Sequence, residues 1–198
     1  MLKRQVFILL LPAKNHHMQE RFKKIIGESI QVKQQLLSDE ALLGTLEEVV
    51  AVCVDIFRKD KKMLFCGNGG SAADAQHIAA ELSGRFYKER APLFAEALHV
   101  NSSFVTAVAN DYNYEAVYAR MVQAAGREGD VLVAISTSGN SPNILKAIEA
   151  ARQQKMIVVG MTGATGGAMA DQCDYLLKVP SKNTPRIQEA HILSLIHI

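Results

Sequence analysis

The sequence predicts an α/β protein: five mostly parallel strands in one sheet, helices on both faces, and two further helices before the sheet. First, short apolar runs alternate with helical patterns along the chain, as they do in parallel sheets with right-handed crossovers. Second, the runs at 131–135 and 157–161 are apolar throughout, which is typical of strands covered on both faces. Third, small or polar residues follow almost every run, at the edge where open α/β sheets bind ligands.

The predicted elements follow one another in a regular order. Two amphipathic helices are predicted at 19–38 and 40–59, because their apolar residues recur at helical spacing, and Ser38 and Asp39 are candidate caps for the second. Strands are predicted at 62–66, about 94–98, 131–135, 157–161 and 175–179, with further helices at about 71–84, 102–109, 113–126 and 142–154.

Length, charge and cysteine content limit the class of protein. At 198 residues the chain is large enough for one domain with a substantial core, and 48% hydrophobic with 21% charged residues is ordinary for a globular protein. A net charge of +2 gives no footprint for nucleic acid or membrane partners. Cys53, Cys66 and Cys173 lie in apolar surroundings and are expected to be free, buried thiols in the reducing cytoplasm.

The N-terminal segment differs from the rest of the chain. Residues 1–17 contain three basic residues and no acid, and their short apolar run is interrupted by Pro12 before any cleavage site of a signal peptide. We therefore expect residues 1–17 to be an unstructured or non-native extension and Met18 to be the true start. Residues 18–198 would form a single domain, with 18–59 as its N-terminal helices.

Two loops rich in small residues point to an anion site. The first loop (residues 66–71, Cys-Gly-Asn-Gly-Gly-Ser) and the second loop (residues 136–141, Ser-Thr-Ser-Gly-Asn-Ser) each join a predicted strand to a helix. Such loops offer free N–H groups and hydroxyls to an anion, and Ser141 before Pro142 is a good helix start. A phosphorylated small molecule is the favoured ligand, and a hydroxyl-rich turn with a cap is the alternative.

Other phosphate motifs are weaker or missing. The first loop also fits a loose Gly-x-Gly-x-x-Ala dinucleotide fingerprint, but the acid expected after the second strand is absent from Leu98-His99-Val100-Asn101. No Gly-x-x-x-x-Gly-Lys-Ser/Thr motif for nucleoside triphosphates occurs.

One pair in the helix after the first loop could carry chemistry. His77 and Glu81 are spaced i, i+4 and share one face. By spacing alone a surface ion pair is the commoner outcome. Close to an anion loop, however, a histidine and a carboxylate can bind a divalent metal or act as acid and base.

In combination, these motifs resemble the sugar-isomerase (SIS) domain family and, within it, the phosphoheptose isomerases. The resemblance covers about residues 20–192 and rests on both loops, His77-x-x-x-Glu81-Leu-x-Gly-Arg85, Ala109-Asn110-Asp111, Gly126-Arg-Glu-Gly-Asp130 and Arg186-Ile-Gln-Glu189. It implies a flavodoxin- or Rossmann-like SIS fold, a homotetramer assembled through the N-terminal helices, and zinc, one ion per subunit. The implied reaction converts sedoheptulose 7-phosphate to D-glycero-D-manno-heptose 7-phosphate through an enediol, for heptose-containing bacterial surface glycans such as lipopolysaccharide.

The resemblance also assigns residues to roles. Glu81 would be the catalytic base, and the metal ligands would be His77, Glu81 and Gln188. The substrate-binding residues would be Asn68, Gly69, Gly70, Ser71, Glu81, Asn110, Asp111, Ser136, Thr137, Ser138, Ser141 and Gln188.

Two other functions stay open at this point. A related SIS protein binds the replication initiator DnaA and is not known as an isomerase, and a third possibility is a sugar-phosphate sensor without turnover. The DnaA-binding relative tends to lack an acid at the position of Glu81, so its retention here favours the enzyme.

The C-terminus departs from the family pattern. The isomerases carry a last active-site histidine eight positions after the Gln of Arg-Ile-Gln-Glu, and Ile196 stands there in this chain. His197 is one residue further, which on a helix turns it roughly opposite Gln188. Residues 193–198 resemble the translation of a sequencing adaptor, so we expect the authentic sequence to end near Ile192 and the chain as written to be a poor isomerase.

Overall fold

The computed structural model describes residues 15–196 and contains one five-stranded sheet. The strands are Met63–Gly67 (β1), Ala95–Ala97 (β2), Val131–Ile135 (β3), Ile157–Thr162 (β4) and Tyr175–Lys178 (β5). All neighbours are parallel, in the order β2-β1-β3-β4-β5. The predicted α/β class, with five parallel strands, is therefore confirmed.

Seven α-helices surround this sheet in the described part of the chain. They are Asn15–Leu37 (α1), Glu40–Arg58 (α2), Gly70–Ser83 (α3), Ser102–Asp111 (α4), Val117–Ala125 (α5), Pro142–Gln153 (α6) and Thr184–Ile196 (α7). None of these described helices combines the length and apolar character that a membrane span needs.

The helix bounds correct three sequence-based expectations. α1 begins at Asn15, so the predicted extension contributes its last residues to a helix, and residues 1–14 lie outside the described part of the chain. The helix predicted at 113–126 is a 3₁₀ turn, Tyr114–Ala116, followed by α5, because the Asn113 side chain accepts a hydrogen bond from the Ala116 N–H and starts a separate turn. Asp39 caps α2 as expected, but Ser38 instead donates to the Gln34 and Gln35 carbonyls at the end of α1.

The core lies in two layers, one on each face of the sheet. Successive strand residues point to opposite faces, so Phe65 packs on one side and Leu64 on the other. The first layer joins the sheet to α2 and α3 through Val49, Ile56, Ala75, Ile78 and Ala79. The second joins it to α5 and α6 through Tyr118, Val122, Ile144, Ala147, Ile148 and Ala151.

The strand order places the first and second loops side by side. The chain leaves β1 towards β2 on one side, then crosses back to β3 on the other side of β1. The loops after β1 and β3 therefore leave the same edge of the sheet in opposite directions. Open α/β sheets bind ligands in the crevice that such a switch point creates.

Asp130, at the opposite edge of the sheet, is an anchor for the fold. Its side chain is buried and accepts hydrogen bonds from the backbone N–H groups of Lys62 (3.1 Å) and Arg127 (2.8 Å), while the Lys62 ammonium lies 2.6 Å away. We expect Asp130→Ala to lower the free energy of unfolding by about 3 kcal/mol, because it leaves buried donors and a cation without their partner.

Urea unfolding measures this effect against a matched control. Glu128 pairs with Lys155 at 3.4 Å, but both side chains are exposed, so Glu128→Ala should change the free energy of unfolding by less than about 0.5 kcal/mol. Equal shifts of the two unfolding midpoints would show that Asp130 is not an anchor.

Candidate active site

The second loop folds into a compact turn between β3 and α6. Its Gly139 N–H donates to the Ser136 carbonyl at 3.0 Å, and the buried Ser136 hydroxyl lies 3.0 Å from that of Ser141. Ser141 occupies the N-cap position of α6 and Pro142 begins the helix, as predicted, but the Ser141 side chain makes no capping hydrogen bond. Its hydroxyl pairs with Ser136 instead of turning back onto the helix.

A third loop (residues 163–169) buttresses the second. Gly139 has φ +69°, and a Cβ on it would overlap the Gly166 carbonyl oxygen. The Met169 N–H donates to the Gly139 carbonyl at 3.1 Å, and the Ala168 N–H donates to Asn140 Oδ1 at 2.8 Å. The backbone of the second loop is therefore fixed before any ligand arrives.

The first loop leads directly into α3. The Ser71 N–H donates to the Asn68 carbonyl at 3.0 Å, and the Ser71 side chain is buried beneath the turn. Gly69 and Gly70 are exposed. The N–H groups of Ser71, Ala72 and Ala73 are all bonded to the turn, so what this end of α3 offers an anion or a sugar oxygen is its positive end and the exposed backbone of Gly69 and Gly70.

Three side chains that the sequence analysis did not single out hold the first loop. The Asn68 and Asn143 carboxamides bond to each other reciprocally, with donor–acceptor distances of 2.9 and 2.8 Å. The Tyr114 hydroxyl donates to Asn68 Oδ1 at 3.4 Å, and the buried Tyr118 hydroxyl donates to the Gly67 carbonyl. The sequence contained one signal for Asn143. It directly follows Ser141 and Pro142, which already start the helix, so this asparagine is not needed as a cap.

His77 and Glu81 meet on α3 as their spacing predicted. His77 Nε2 lies 3.2 Å from Glu81 Oε1, with the histidine side chain 50% exposed and the glutamate 26%. Asp74 lies one turn before His77, and burial raises the pKa of its carboxyl, with the His77 charge acting in the opposite direction. The pair is accessible to a ligand, and its carboxylate is the more sheltered member.

Glu81 also forms part of the wall of an apolar cleft of about 480 Å³ between α2, α3 and the sheet. Other lining residues include Val50, Val54, Phe57, Met63, Leu82 and Leu93. One side of the Glu81 side chain therefore borders apolar surface.

The predicted metal ligands are only partly gathered. The 3.2 Å between the donor atoms of His77 and Glu81 is close to the roughly 3.3 Å that two ligands of a tetrahedral zinc ion span, so this pair fits the metal. The Gln188 amide packs against Gly70, about two helical turns before His77. Among residues 17–193, whose side chains the structure describes, no three His, Cys, Asp or Glu side chains cluster as a metal site would require.

The remaining predicted substrate-binding residues are two in the second loop and two at the end of α4. Thr137 is half-buried and Ser138 is exposed, and the Ser138 hydroxyl accepts a hydrogen bond from the Asn140 N–H at 3.2 Å. Asn110 and Asp111 are exposed at the end of α4, where the Asn110 amide donates to the Asp111 carboxylate at 2.9 Å. They come just before Tyr114, which reaches Asn68, but they make no hydrogen bond to either loop among the described residues.

His191 does not supply the missing histidine. Its side chain is 0% exposed, its Nε2 lies 3.3 Å from the Thr162 carbonyl, and burial lowers the pKa of its imidazole to about 4. The ring is therefore part of the packing of α7 on the sheet. His197 lies outside the described residues, so the expectation about it stays a prediction.

Comparison with known proteins gives a consistent result. The model of the SIS domain family matches residues 26–163. The phosphoheptose isomerase of Aneurinibacillus thermoaerophilus is 52% identical over 176 residues, which cover 89% of each chain. Phosphoheptose isomerase 2 of Campylobacter jejuni is 52% identical over 167 residues, which cover 84% of this chain and 83% of that protein.

Solved structures agree with these sequence matches. A phosphoheptose isomerase from Neisseria gonorrhoeae superposes with a TM-score of 0.84 at 45% identity, covering 91% of this chain and 95% of that one. The enzyme of the same name from Francisella tularensis gives a TM-score of 0.86 at 36% identity, covering 90% of this chain and 94% of that one.

Proposed function

This chain belongs to the SIS domain family, and we infer that its activity is that of a phosphoheptose isomerase. It converts sedoheptulose 7-phosphate to D-glycero-D-manno-heptose 7-phosphate. The observation that carries this conclusion is the identity of about half of all residues with phosphoheptose isomerases over most of both chains. The two adjacent loops after β1 and β3, with their small and hydroxyl-bearing residues, are consistent with a phosphorylated substrate.

The chemistry requires a base and a bound phosphate. A base removes a proton from C1 of the ketose, the enediol forms, and a proton is delivered to C2 while the hydroxyl proton moves from O1 to O2. Glu81 is the proposed base, because its half-buried carboxylate can take the proton from C1 and deliver it to C2. The second loop is the proposed phosphate site, where Ser136, Thr137, Ser138 and Ser141 join hydroxyl donors to the start of α6.

The other predicted ligands complete the proposal. Asn68, Gly69, Gly70 and Ser71 at the start of α3, together with Asn110, Asp111 and Gln188, would contact the sugar. His77 and Glu81 would hold a zinc ion, with Gln188 as a further ligand. When bound, zinc would polarise the carbonyl and hydroxyl oxygens of the reacting carbons.

The direct test is conversion of sedoheptulose 7-phosphate to the aldose, followed by chromatography that separates the two isomers, which have the same mass. Because the family pattern places a histidine at position 196, the Ile196→His variant is assayed beside the unmodified chain. We expect slow conversion by the chain and faster conversion with a higher zinc content in the variant. If both proteins bind inorganic phosphate but neither converts the sugar, the proposed activity is wrong.

The proposed enzyme is a homotetramer in the cytoplasm, and its product supplies heptose for bacterial surface glycans such as lipopolysaccharide. α1 supports the assembly. One side of it docks on α7, where Ser29 donates to Glu189 at 2.8 Å and Val32 and Leu36 pack. Five large apolar residues of α1 are nevertheless between 40% and 75% exposed: Phe22, Ile25, Ile26, Ile30 and Leu37. An apolar stripe of this size is usually covered by another subunit.

Charges introduced into this stripe should break the assembly. We expect the double substitution Ile26→Lys and Ile30→Lys to yield smaller species in light scattering, because four subunits would bring buried like charges together. The control is Gln31→Lys with Gln34→Lys, which adds the same charge at exposed polar positions of the same helix and should keep the tetramer. A tetramer that survives the isoleucine substitutions would contradict an α1-based assembly.

A further inference from the structure

Asn143 has an environment that helix formation does not explain. It is the second residue of α6, directly after the second loop, and only 4% of it is exposed. Its carboxamide faces Asn68 of the first loop, 75 residues earlier in the chain. Burial of a carboxamide is costly unless its polar atoms are paired, and here both are paired with the same side chain.

The hydrogen bonds of Asn68 leave it only one free group. Its Oδ1 accepts from Asn143 Nδ2 and from the Tyr114 hydroxyl, which uses both lone pairs of that oxygen. Its Nδ2 donates one hydrogen to Asn143 Oδ1 and keeps the other. The amide cannot turn over without losing the reciprocal pair, so its single remaining N–H has a fixed direction.

The backbone of Asn68 is held as well. The Gly67 carbonyl accepts from the buried Tyr118 hydroxyl, and the Asn68 carbonyl accepts from the Ser71 N–H. Both the position and the orientation of the amide are therefore determined by contacts within the protein.

We propose that Asn143 is a positioning residue that fixes the Asn68 side chain, so that one N–H donor faces a hydroxyl or carbonyl oxygen of the sugar. This inference rests on the proposed function. Because Asn143 also belongs to the helix whose start forms the phosphate site, it ties the sugar-binding loop to the phosphate-binding loop. The two ends of the ligand are thus recognised by parts that cannot shift independently.

The test separates recognition of the sugar from recognition of the phosphate. Calorimetric titrations with sedoheptulose 7-phosphate and with inorganic phosphate are made on Asn143→Leu, a neutral substitution of similar size. We expect about tenfold weaker binding of the sugar phosphate, from loss of one oriented hydrogen bond, and a change of less than about twofold for phosphate. Asn68→Leu combined with Asn143→Leu should bind no more weakly than Asn68→Leu alone, since Asn143 acts only through Asn68.

Two further variants complete the test. Serine is well accepted near the start of a helix, so Asn143→Ser serves if Asn143→Leu does not fold, and it should weaken binding of the sugar phosphate but not of phosphate. Asn101→Ser makes the same change at the cap of α4, where the side chain only accepts from the Phe104 N–H, and should alter neither affinity.

Equal losses of affinity for both ligands in Asn143→Leu would mean a purely structural role and overturn the inference, as would unchanged affinity for the sugar phosphate. An unmodified chain that binds phosphate but not sedoheptulose 7-phosphate would overturn the proposed function, and this inference with it.

Discussion

Glu81→Gln should bind sedoheptulose 7-phosphate and yet exchange its C1 proton with solvent about 10² to 10⁴ times more slowly than the unmodified chain. The amide has the shape of the carboxylate but cannot accept a proton at neutral pH. Glu81 is only partly exposed, its carboxylate pairs with His77, and the bond from Arg90 goes to its backbone carbonyl, so the substitution should not disturb folding. Deuterium incorporation at C1, followed by mass spectrometry in heavy water, measures the proton transfer directly, whether or not product accumulates.

Two comparisons make this result specific. Glu89→Gln makes the same change at an exposed residue after α3, beside Arg85 at 3.6 Å, and should leave the exchange rate unaltered. The pair of variants is repeated with Ile196→His, so that slow turnover of the unmodified chain does not conceal the effect. Exchange at the unmodified rate in Glu81→Gln would remove Glu81 from the mechanism.

The parts of this molecule that were predictable from sequence depend on short stretches of chain. Each apolar run and the loop after it are neighbours in sequence, so periodicity and small residues identify the first and second loops as the ends of β1 and β3. The contact between His77 and Glu81 follows from helical spacing alone. The parallel arrangement of β1 to β4 follows because helices between these strands leave few other topologies, whereas only a 3₁₀ turn joins β4 to β5.

The features that were not predictable depend on pairing across long separations. The partner of Asn68 is Asn143, and nothing local in either loop indicates that bond. Ser141 illustrates the same limit in a smaller way. Its position before Pro142 predicts a capping hydroxyl, but the tertiary fold brings Ser136 within 3.0 Å, and the two hydroxyls pair with each other. A sequence pattern predicts which residues start a helix, but it does not predict which hydrogen-bond partner each of their side chains has.

The surface that α1 leaves uncovered shows the same limit. α1 packs on α7 through Val32 and Leu36, while Phe22, Ile25, Ile26, Ile30 and Leu37 of the same helix stay exposed. Amphipathic periodicity alone cannot tell a helix face that packs on its own sheet from one that packs on a partner.

Gly139→Ala should weaken phosphate binding about a hundredfold, which is roughly 2.7 kcal/mol. The added Cβ would overlap the Gly166 carbonyl oxygen, and φ +69° strains any residue with a Cβ. Because backbone cannot yield as a side chain does, the second and third loops must separate. The bonds from Met169 to Gly139 and from Ala168 to Asn140 would then be lost, and the donors of the second loop would no longer be held for the phosphate.

Gly129→Ala is the matched control, since Gly129 also has a positive φ of +82° but lies in the turn between α5 and β3, at the opposite edge of the sheet. Its added Cβ would meet only the flexible Lys61 side chain, at 3.4 Å. We expect a loss of unfolding free energy of about 1 kcal/mol from backbone strain and no change in phosphate affinity. Calorimetry with inorganic phosphate distinguishes the two variants, because backbone strain is common to both and separation of the loops occurs only in Gly139→Ala. If Gly139→Ala binds phosphate as tightly as Gly129→Ala does, the second loop is not the phosphate site, and the anion must be sought at the start of α3.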